Sequence, residues 1–496
     1  MTGRGIVAGA AWMVLFRLFD RSIGIVSTAL LARLLLPADF GLVAMAMSVI
    51  AVIELATTFS FEIALIRAPD PTREHYDTAW TLNIIVGTCG AIATAAAALP
   101  AAAFYGDDRL IPVMVLAGTA WFIAGFENVG TVNFRREMNF AADFRLLAIK
   151  RIVGFVVTLA AALMLHSYWA LVIGTTAARS AGVILSFAMH PFRPRLSLHR
   201  TRELFSFSGW LLISNVAGVV IGKAPHFIVG RFFGAQALGA YSVGAEIAHL
   251  TYTELVAPIN RAMLPGYSRL IEDPEAFRRT CLDATAGILL LVMPVTVGLV
   301  VLAQPIVRVL LGTQWADAVP IIQILAIAGT VSAITSNNVQ AYLALGRPHL
   351  TTWILAARLG LLAVAIGLLA RPWGLRGVAA AELVSSLGSL FVSVPILTST
   401  LHLGIMEYLR AAARPVLACI ATGLVMVFVQ SLLPQDSGLV AALIELAVVG
   451  IVGAVSYPMV VGLLWVASGR PKSIEPQIAG RTWRWLSTAV SRRAQA

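Results

Sequence analysis

The chain has 496 residues, of which 59% are hydrophobic and 12% are charged. Soluble domains carry about 25% charged residues, whereas here apolar runs of the ~20 residues that cross a bilayer recur along the chain. The composition indicates a membrane protein with many spans, and the continuous runs argue against a transmembrane barrel, whose strands alternate. In such a protein Lys- and Arg-rich loops explain the net charge of +11 without nucleic-acid binding.

The first apolar run is interrupted by charge and has no convincing cleavage site, so we expect a retained helix rather than a signal peptide. From there, the lengths of the apolar runs predict about fourteen transmembrane helices. The predicted spans are 8–34, 39–65, 77–104, 109–132, 146–166, 168–190, 205–233, 237–262, 283–311, 318–344, 349–370, 374–400, 411–433 and 439–467. We therefore expect an all-α polytopic membrane protein.

Most of the 36 Lys and Arg residues fall in segments that successive helices place on one side of the membrane. Because these residues accumulate in cytoplasmic loops, both termini are predicted to be cytoplasmic. The basic tail over 468–496 is predicted either to lie as an interfacial helix on anionic lipid or to be disordered.

The three cysteines, Cys89, Cys281 and Cys419, are far apart and show no ligand spacing, so we interpret them as small core hydrophobes. The sequence also has no Asp-x-Asp pair, glycine-rich phosphate loop or His/Cys cluster. We therefore predict no metal site, no cofactor and no enzymatic activity.

An internal repeat relates the two halves of the chain. A shift of 198 residues pairs Gly41 with Gly239 and Arg33 with Arg231, and a helix-turn-helix follows in both copies. Because the shift spans an even number of predicted helices, both copies have the same orientation, which is the design of two-lobed alternating-access carriers. The predicted organisation is an N-terminal lobe of six helices (1–204), a C-terminal lobe of six helices (205–402), two extra helices (403–467) and the basic tail (468–496).

Residues 32–44, Ala-Arg-Leu-Leu-Leu-Pro-Ala-Asp-Phe-Gly-Leu-Val-Ala, resemble the first-hairpin signature of bacterial polysaccharide flippases, and the likeness continues over 61–67 and 133–140. That family shares a superfamily with multidrug-and-toxin extrusion carriers and lipid II flippases, and the best match is to the branch of the colanic acid exporters. The resemblance implies export of an undecaprenyl-diphosphate-linked oligosaccharide across the bacterial inner membrane. It also implies membrane lipids, a polysaccharide polymerase and a chain-length regulator as partners, for exopolysaccharide, capsule or lipopolysaccharide assembly.

Three charged residues lie near the predicted midplane of the first helix. Arg17, Asp20 and Arg21 follow one another at helical spacing and form one polar stripe. Charges at this depth face a water-filled path or a partner, and the arginine fork is suited to phosphate. We expect Arg17 and Arg21 to bind the diphosphate while Asp20 supports them; the alternative is a structural ion pair.

The seventh helix repeats this pattern. Lys223 is predicted as a further anion contact, with Asn215 and His226 on a similar face, the latter as a candidate proton carrier. Pro225 interrupts the hydrogen-bond ladder there and predicts a kink.

Two more candidate groups lie further along the chain. Arg358, in the eleventh helix, is a third candidate phosphate contact. Glu246 and His249 share a face of the eighth helix and are candidates for binding a coupling Na⁺ or H⁺; alternatively, the intramembrane acids neutralise basic residues such as Arg179.

Three other functions compete with the flippase prediction. A cation-coupled multidrug exporter would use mostly acidic and aromatic sites, against the basic bias of the intramembrane charges here. A lipid II flippase has a similar helix count and a cationic cavity. A membrane glycan polymerase or ligase needs large outer loops, whereas the predicted outer loops are short.

Overall fold

The computed structural model describes residues 3–57, 61–67, 70–434 and 438–469, without the side chains of 3–11, 13–14, 56–57, 67, 202–218 and 220–221. Within these ranges the chain is helical and contains no strand. The helices are α1 (Gly3–Leu34), α2 (Pro37–Thr57), α3 (Phe61–Arg67), α4 (Arg73–Tyr105), α5 (Leu110–Ala124), α6 (Val132–Arg136), α7 (Phe140–Leu165), α8 (Trp169–Met189), α9 (Thr201–Thr251), α10 (Ala257–Ser268), α11 (Pro274–Val301), α12 (Ala303–Leu310), α13 (Ala318–Ala344), α14 (Pro348–Leu401), α15 (Ile405–Leu432) and α16 (Leu439–Ala467). The all-α polytopic prediction is confirmed.

Within the described residues, nine helices are long and apolar enough to cross a membrane, and the count is ten if the bent pair α5 and α6 forms one span. The predicted count of fourteen therefore stays a prediction, and the predicted tail helix lies almost wholly outside the described residues.

Two helices of more than 50 residues each contain a sharp break. Gly234 in α9 has φ 80°, and Gly374 in α14 has φ 58°. Residues that carry a Cβ rarely adopt these positive φ values, so glycine suits both breaks. Both lie at joints that the apolar runs predict, between 233 and 237 and between 370 and 374.

The predicted span over 109–132 is not a single straight helix. The helix pair Leu110–Ala124 and Val129–Arg136 is bent by 64°. Asn128 lies at the break, where its side-chain oxygen accepts a bond from the Gly130 amide (2.9 Å) and its Nδ2 donates to the Phe192 carbonyl (2.8 Å). A local cap of this kind offers the backbone an alternative to the helical ladder, and hydropathy does not reveal it.

The chain divides into two compact units, residues 1–242 with 310–314 and residues 243–309 with 315–496. In the first unit α4 packs with α5, α7 with α8, and α1 lies along α7. In the second, α11 and α14 pack on α13, and α15 and α16 pack on α11. The predicted lobe boundary at 204 differs from the unit boundary, and the division into repeated lobes stays a prediction.

The segment that joins α8 to α9 is extended and bound to the start of α4. The Arg195 amide donates to Asp77 Oδ1 (2.8 Å), and the Ser197 amide donates to Thr81 Oγ1 (2.9 Å). These bonds satisfy backbone donors that an extended connection otherwise leaves to water.

Candidate functional site

The polar stripe of α1 faces a basic residue of α7. Arg151 Nε lies 3.0 Å from Asp20 Oδ1, and both side chains are partly exposed, at 42% and 46%. Gly24, one turn beyond Asp20, leaves room for this side chain, since a Cβ there would lie 3.2 Å from Arg151 Nη2. Asp20 therefore has a tertiary partner on another helix.

Aromatic contacts fix α1 against α7. The ring of Phe144 packs against Trp12, Phe16 and Phe19 at centroid distances of 5.2, 6.2 and 5.9 Å. Offset and edge-on aromatic pairs of this kind stabilise helix packing beyond the area they bury. The charged stripe thus lies next to a rigid contact between the two helices.

Arg151 of α7 therefore adds a third basic side chain beside the α1 stripe. Arg17 is exposed and Arg21 is half-buried, while Arg151 joins them through Asp20. Of the four charged residues Arg17, Asp20, Arg21 and Arg151, three are basic and one is acidic. The sequence alone does not single out Arg151, because it follows Lys150 near the start of the predicted span 146–166, where basic residues are common.

A second polar feature of the first unit is an open cavity of about 230 Å³. It lies where α5 breaks, and unwound backbone is tolerated at membrane depth where it lines such a cavity. Its charged and polar lining side chains are Glu54, Glu62, Glu127, Arg179, Asn83, Asn128 and Thr131.

Lys150 neutralises one of the cavity carboxylates. Its Nζ lies 2.9 Å from both carboxylate oxygens of Glu127, and only 20% and 27% of these two side chains are exposed. Arg135 similarly contacts Glu62 (3.3 Å) and Asp143 (3.2 Å). Ion pairs on this cavity agree with the alternative that the intramembrane acids are structural partners of basic residues.

The predicted residues of the first part of α9, Asn215, Lys223 and His226, lie in the same unit. Lys223 is half-buried and interacts electrostatically with Glu54. The ring of His226 packs edge-on against Tyr241 at 5.6 Å. The Asn215 side chain lies outside the described residues. The anion-binding role of Lys223 stays a prediction.

The other predicted residues lie in the second unit. Arg358 Nη2 is 3.4 Å from Ser386 Oγ, and His249 Nε2 is 3.6 Å from Glu382 Oε1. Glu246 is exposed. His249 thus contacts a carboxylate of α14, and an ion-coupling role for Glu246 and His249 stays a prediction.

The second unit also contains a buried network of neutral polar side chains. Tyr267 OH donates to Asn337 Oδ1 (3.0 Å), Tyr408 OH donates to Asn338 Oδ1 (3.2 Å), and Asn338 Nδ2 donates to Ser393 Oγ (3.1 Å). Ser393 is fully buried. Because these groups form hydrogen bonds with one another between the packed helices, we interpret the network as a contribution to helix packing rather than as a surface that binds the sugars of a substrate.

Comparisons with known proteins agree with this description. A family model described as polysaccharide biosynthesis protein matches residues 30–320, which is more than half of the chain. The chain belongs to this family.

Two relatives match this chain over most of its length and most of their own. The teichuronic acid biosynthesis protein TuaB of Bacillus subtilis (strain 168) is 24% identical over 85% of the chain and 88% of its own length. The succinoglycan biosynthesis transport protein ExoT of Rhizobium meliloti (strain 1021) is 23% identical over 71% of the chain and 72% of its own length. The resemblance to polysaccharide transporters is confirmed.

The fold is also similar to a solved structure. The lipid II flippase MurJ, in an inward closed conformation, matches with a TM-score of 0.71 and 12% identity over 92% of the chain and 99% of its own length. The chain is thus a multi-pass membrane protein with the fold of that flippase. The family and the relative named as a transport protein point to a transport role rather than an enzymatic one.

Proposed function

We propose that this family member flips undecaprenyl-diphosphate-linked oligosaccharide repeat units across the bacterial inner membrane by alternating access. The observation that supports this most directly is the α1 stripe, where Arg17 and Arg21 lie on the same helix face as Asp20 and Arg151 of α7 pairs with Asp20. A diphosphate carries the complementary negative charge. A lipid-linked glycan combines such a diphosphate with a lipid tail that stays in the bilayer.

The arginines provide more than charge. Each guanidinium presents a planar fork of donors that matches two phosphate oxygens at once. Asp20 holds Arg151 at 3.0 Å and lowers the repulsion among the three cations when no substrate is bound. On binding, the diphosphate takes over part of that neutralisation. The site is therefore suited to binding and releasing an anion rather than to holding it permanently.

The relatives support the same substrate class. ExoT is named as a transport protein of succinoglycan biosynthesis, and TuaB is named as a biosynthesis protein for teichuronic acid. Both names refer to bacterial surface polysaccharides. We extend this to the present chain, with a cytoplasmic location for both termini, membrane lipids as its surroundings, and a polymerase and a chain-length regulator as the proteins that receive the flipped repeat units.

The test is export by stripe variants in a strain that lacks the wild-type gene. We expect Arg17→Ala and Arg21→Ala to abolish surface polymer at normal protein level, and lysine at either position to retain part of it. Arg145→Ala is the matched control, because Arg145 lies on α7, is exposed and donates to its own helix at Ala141 (3.3 Å). Normal polymer from both alanine variants would remove the phosphate role.

A further inference from the structure

The connection between α8 and α9, residues 190–200, forms an extended strap along the start of α4. The Arg195 and Ser197 amides of the strap donate to side chains of α4, and Arg200 Nε lies 3.2 Å from Glu74 Oε2 of α4. The backbone of the strap is therefore fixed against α4, and both belong to the first compact unit.

The strap lies at a predicted boundary of the membrane. Asp77 and Thr81, whose side chains accept the two amide bonds, are 7% and 6% exposed and lie in the first two turns of the predicted span 77–104. Six predicted helices precede the strap, so the predicted topology, with its cytoplasmic N-terminus, places the strap on the cytoplasmic side. We therefore expect the strap at the level of the cytoplasmic lipid headgroups.

Two leucines of the strap form a short apolar ridge. Leu196 is 74% exposed and Leu198 is 54% exposed. In an extended segment, residues two positions apart lie on the same face, so the two side chains lie side by side. A single exposed leucine is ordinary, but two on one face of a fixed segment at a membrane boundary are positioned to contact lipid.

Basic side chains lie next to this ridge. The strap contains three arginines and two histidines and no acidic residue. Arg193 and Arg195 are exposed, and Arg193 Nη1 donates to the His190 carbonyl (2.8 Å). Among the residues that the structure describes, the Arg195 guanidinium has no hydrogen-bond or ion-pair partner. The strap thus presents positive charge beside the two leucines.

The two features together match one class of molecule. An anionic phospholipid carries its phosphate directly above its acyl chains, and the cytoplasmic leaflet has a negative surface potential because it contains such lipids. The arginine fork suits the phosphate, and leucine suits the boundary between headgroups and acyl chains. An acidic protein segment would pair with the arginines, but it gives no reason for the exposed leucines.

We propose that residues 193–198 of the strap form a binding site for anionic phospholipid of the cytoplasmic leaflet. Arg193 and Arg195 bind the headgroup phosphate, while Leu196 and Leu198 enter the boundary of the acyl chains. Because the bonds to α4 already fix the backbone, little ordering entropy is lost when the lipid binds. The site does not depend on which glycan the protein transports.

The experiment measures the contact of the strap with lipid in the full-length protein. Cys89, Cys281 and Cys419 are replaced, and a single cysteine introduced as Leu196→Cys carries an apolar fluorophore. The protein is reconstituted into phosphatidylcholine vesicles with increasing fractions of phosphatidylglycerol, and a nitroxide-labelled lipid quenches the fluorophore where the two come into contact.

We expect quenching to rise with the phosphatidylglycerol fraction and to fall at high salt. Arg195→Gln should raise the fraction needed for half-maximal quenching about fivefold, the change that corresponds to about 1 kcal/mol per basic residue near an anionic surface, and Arg195→Lys should largely restore it. Arg145→Gln is the matched control and should leave the fraction unchanged, because Arg145 is exposed on α7 of the same unit.

Three results would overturn the site. Equal quenching in neutral and anionic vesicles would show that the headgroup charge has no part in it. No quenching in either kind of vesicle would show that the strap faces water, where an acidic protein segment is the better partner. An equal effect of Arg145→Gln and Arg195→Gln would show a response to net charge alone. Excess glycerol phosphate at constant ionic strength should leave the quenching unchanged, since it cannot bind the leucines, and release by it would assign the site to a free phosphate instead.

Discussion

The ion pair between Lys150 and Glu127 gives a prediction whose size follows from the structure. The Lys150 ammonium lies 2.9 Å from both carboxylate oxygens. At an effective dielectric constant of about 20 the attraction is roughly 4–6 kcal/mol, and much of it is offset by the free energy of removing both charges from water. The intact pair therefore adds little stability relative to an apolar pair of similar volume. Removing one partner, in contrast, leaves the other charge buried without a counter-ion and is unfavourable.

We expect Lys150→Met to lower the free energy of unfolding by about 2–3 kcal/mol, at or just below the lower end of the roughly 3–5 kcal/mol that removing one partner of a fully buried pair costs. The smaller value applies because 20% of the Lys150 side chain and 27% of the Glu127 side chain are exposed, and Arg135 adds positive charge near Glu127. The double variant Lys150→Met/Glu127→Gln should recover part of the loss, with a coupling of about 1–3 kcal/mol.

Reversible unfolding of the purified protein in mixed detergent measures these differences. The control cycle uses Arg279 and Glu275 of α11, a pair on one helix with 74% and 72% of the side chains exposed, for which we expect a coupling of at most about 0.5 kcal/mol. A Lys150–Glu127 coupling no larger than the control's would refute the reasoning, because burial would then have added nothing.

Three further predictions concern stability. Asp20→Asn should change the unfolding free energy by at most about 1 kcal/mol, because its pair with Arg151 is nearly half exposed; a thermal midpoint far below wild type would contradict this. Gly234→Ala should lower stability by about 1–3 kcal/mol, since φ 80° and ψ −179° is a glycine conformation; an unchanged midpoint would show that the break straightens. Asn338→Leu should lower the unfolding free energy by about 1–3 kcal/mol, because it removes the buried hydrogen bonds of Asn338 with Ser393 and Tyr408; a variant that is as stable as wild type in detergent unfolding would contradict this.

The helices could be predicted from the sequence because their lengths and joints depend on local composition. Bilayer thickness sets the length of an apolar run, and glycine marks the breaks at Gly234 and Gly374, where φ is positive. The bend near Asn128 could not be predicted in the same way, because it depends on a bond to Phe192, 64 residues away.

The sequence predicts which helix face each candidate residue occupies, but not which residue of another helix it contacts. Helical spacing placed Arg17, Asp20 and Arg21 on one stripe, but it could not show that Arg151 of α7 lies against Asp20. Likewise, Glu246 and His249 share a face of α9, whereas the described contact of His249 is with Glu382 of α14. Periodicity fixes directions within one helix, and only packing brings two helices together.

The most direct test of the central claim is the sidedness of the lipid-linked glycan in a strain that lacks this protein. Membrane vesicles of both orientations would be probed with a glycan-modifying enzyme that cannot cross the bilayer. We predict that surface polymer is lost and that complete undecaprenyl-linked repeat units accumulate on the cytoplasmic leaflet. Normal polymer without trapped repeat units, particularly together with altered drug tolerance, would contradict the account.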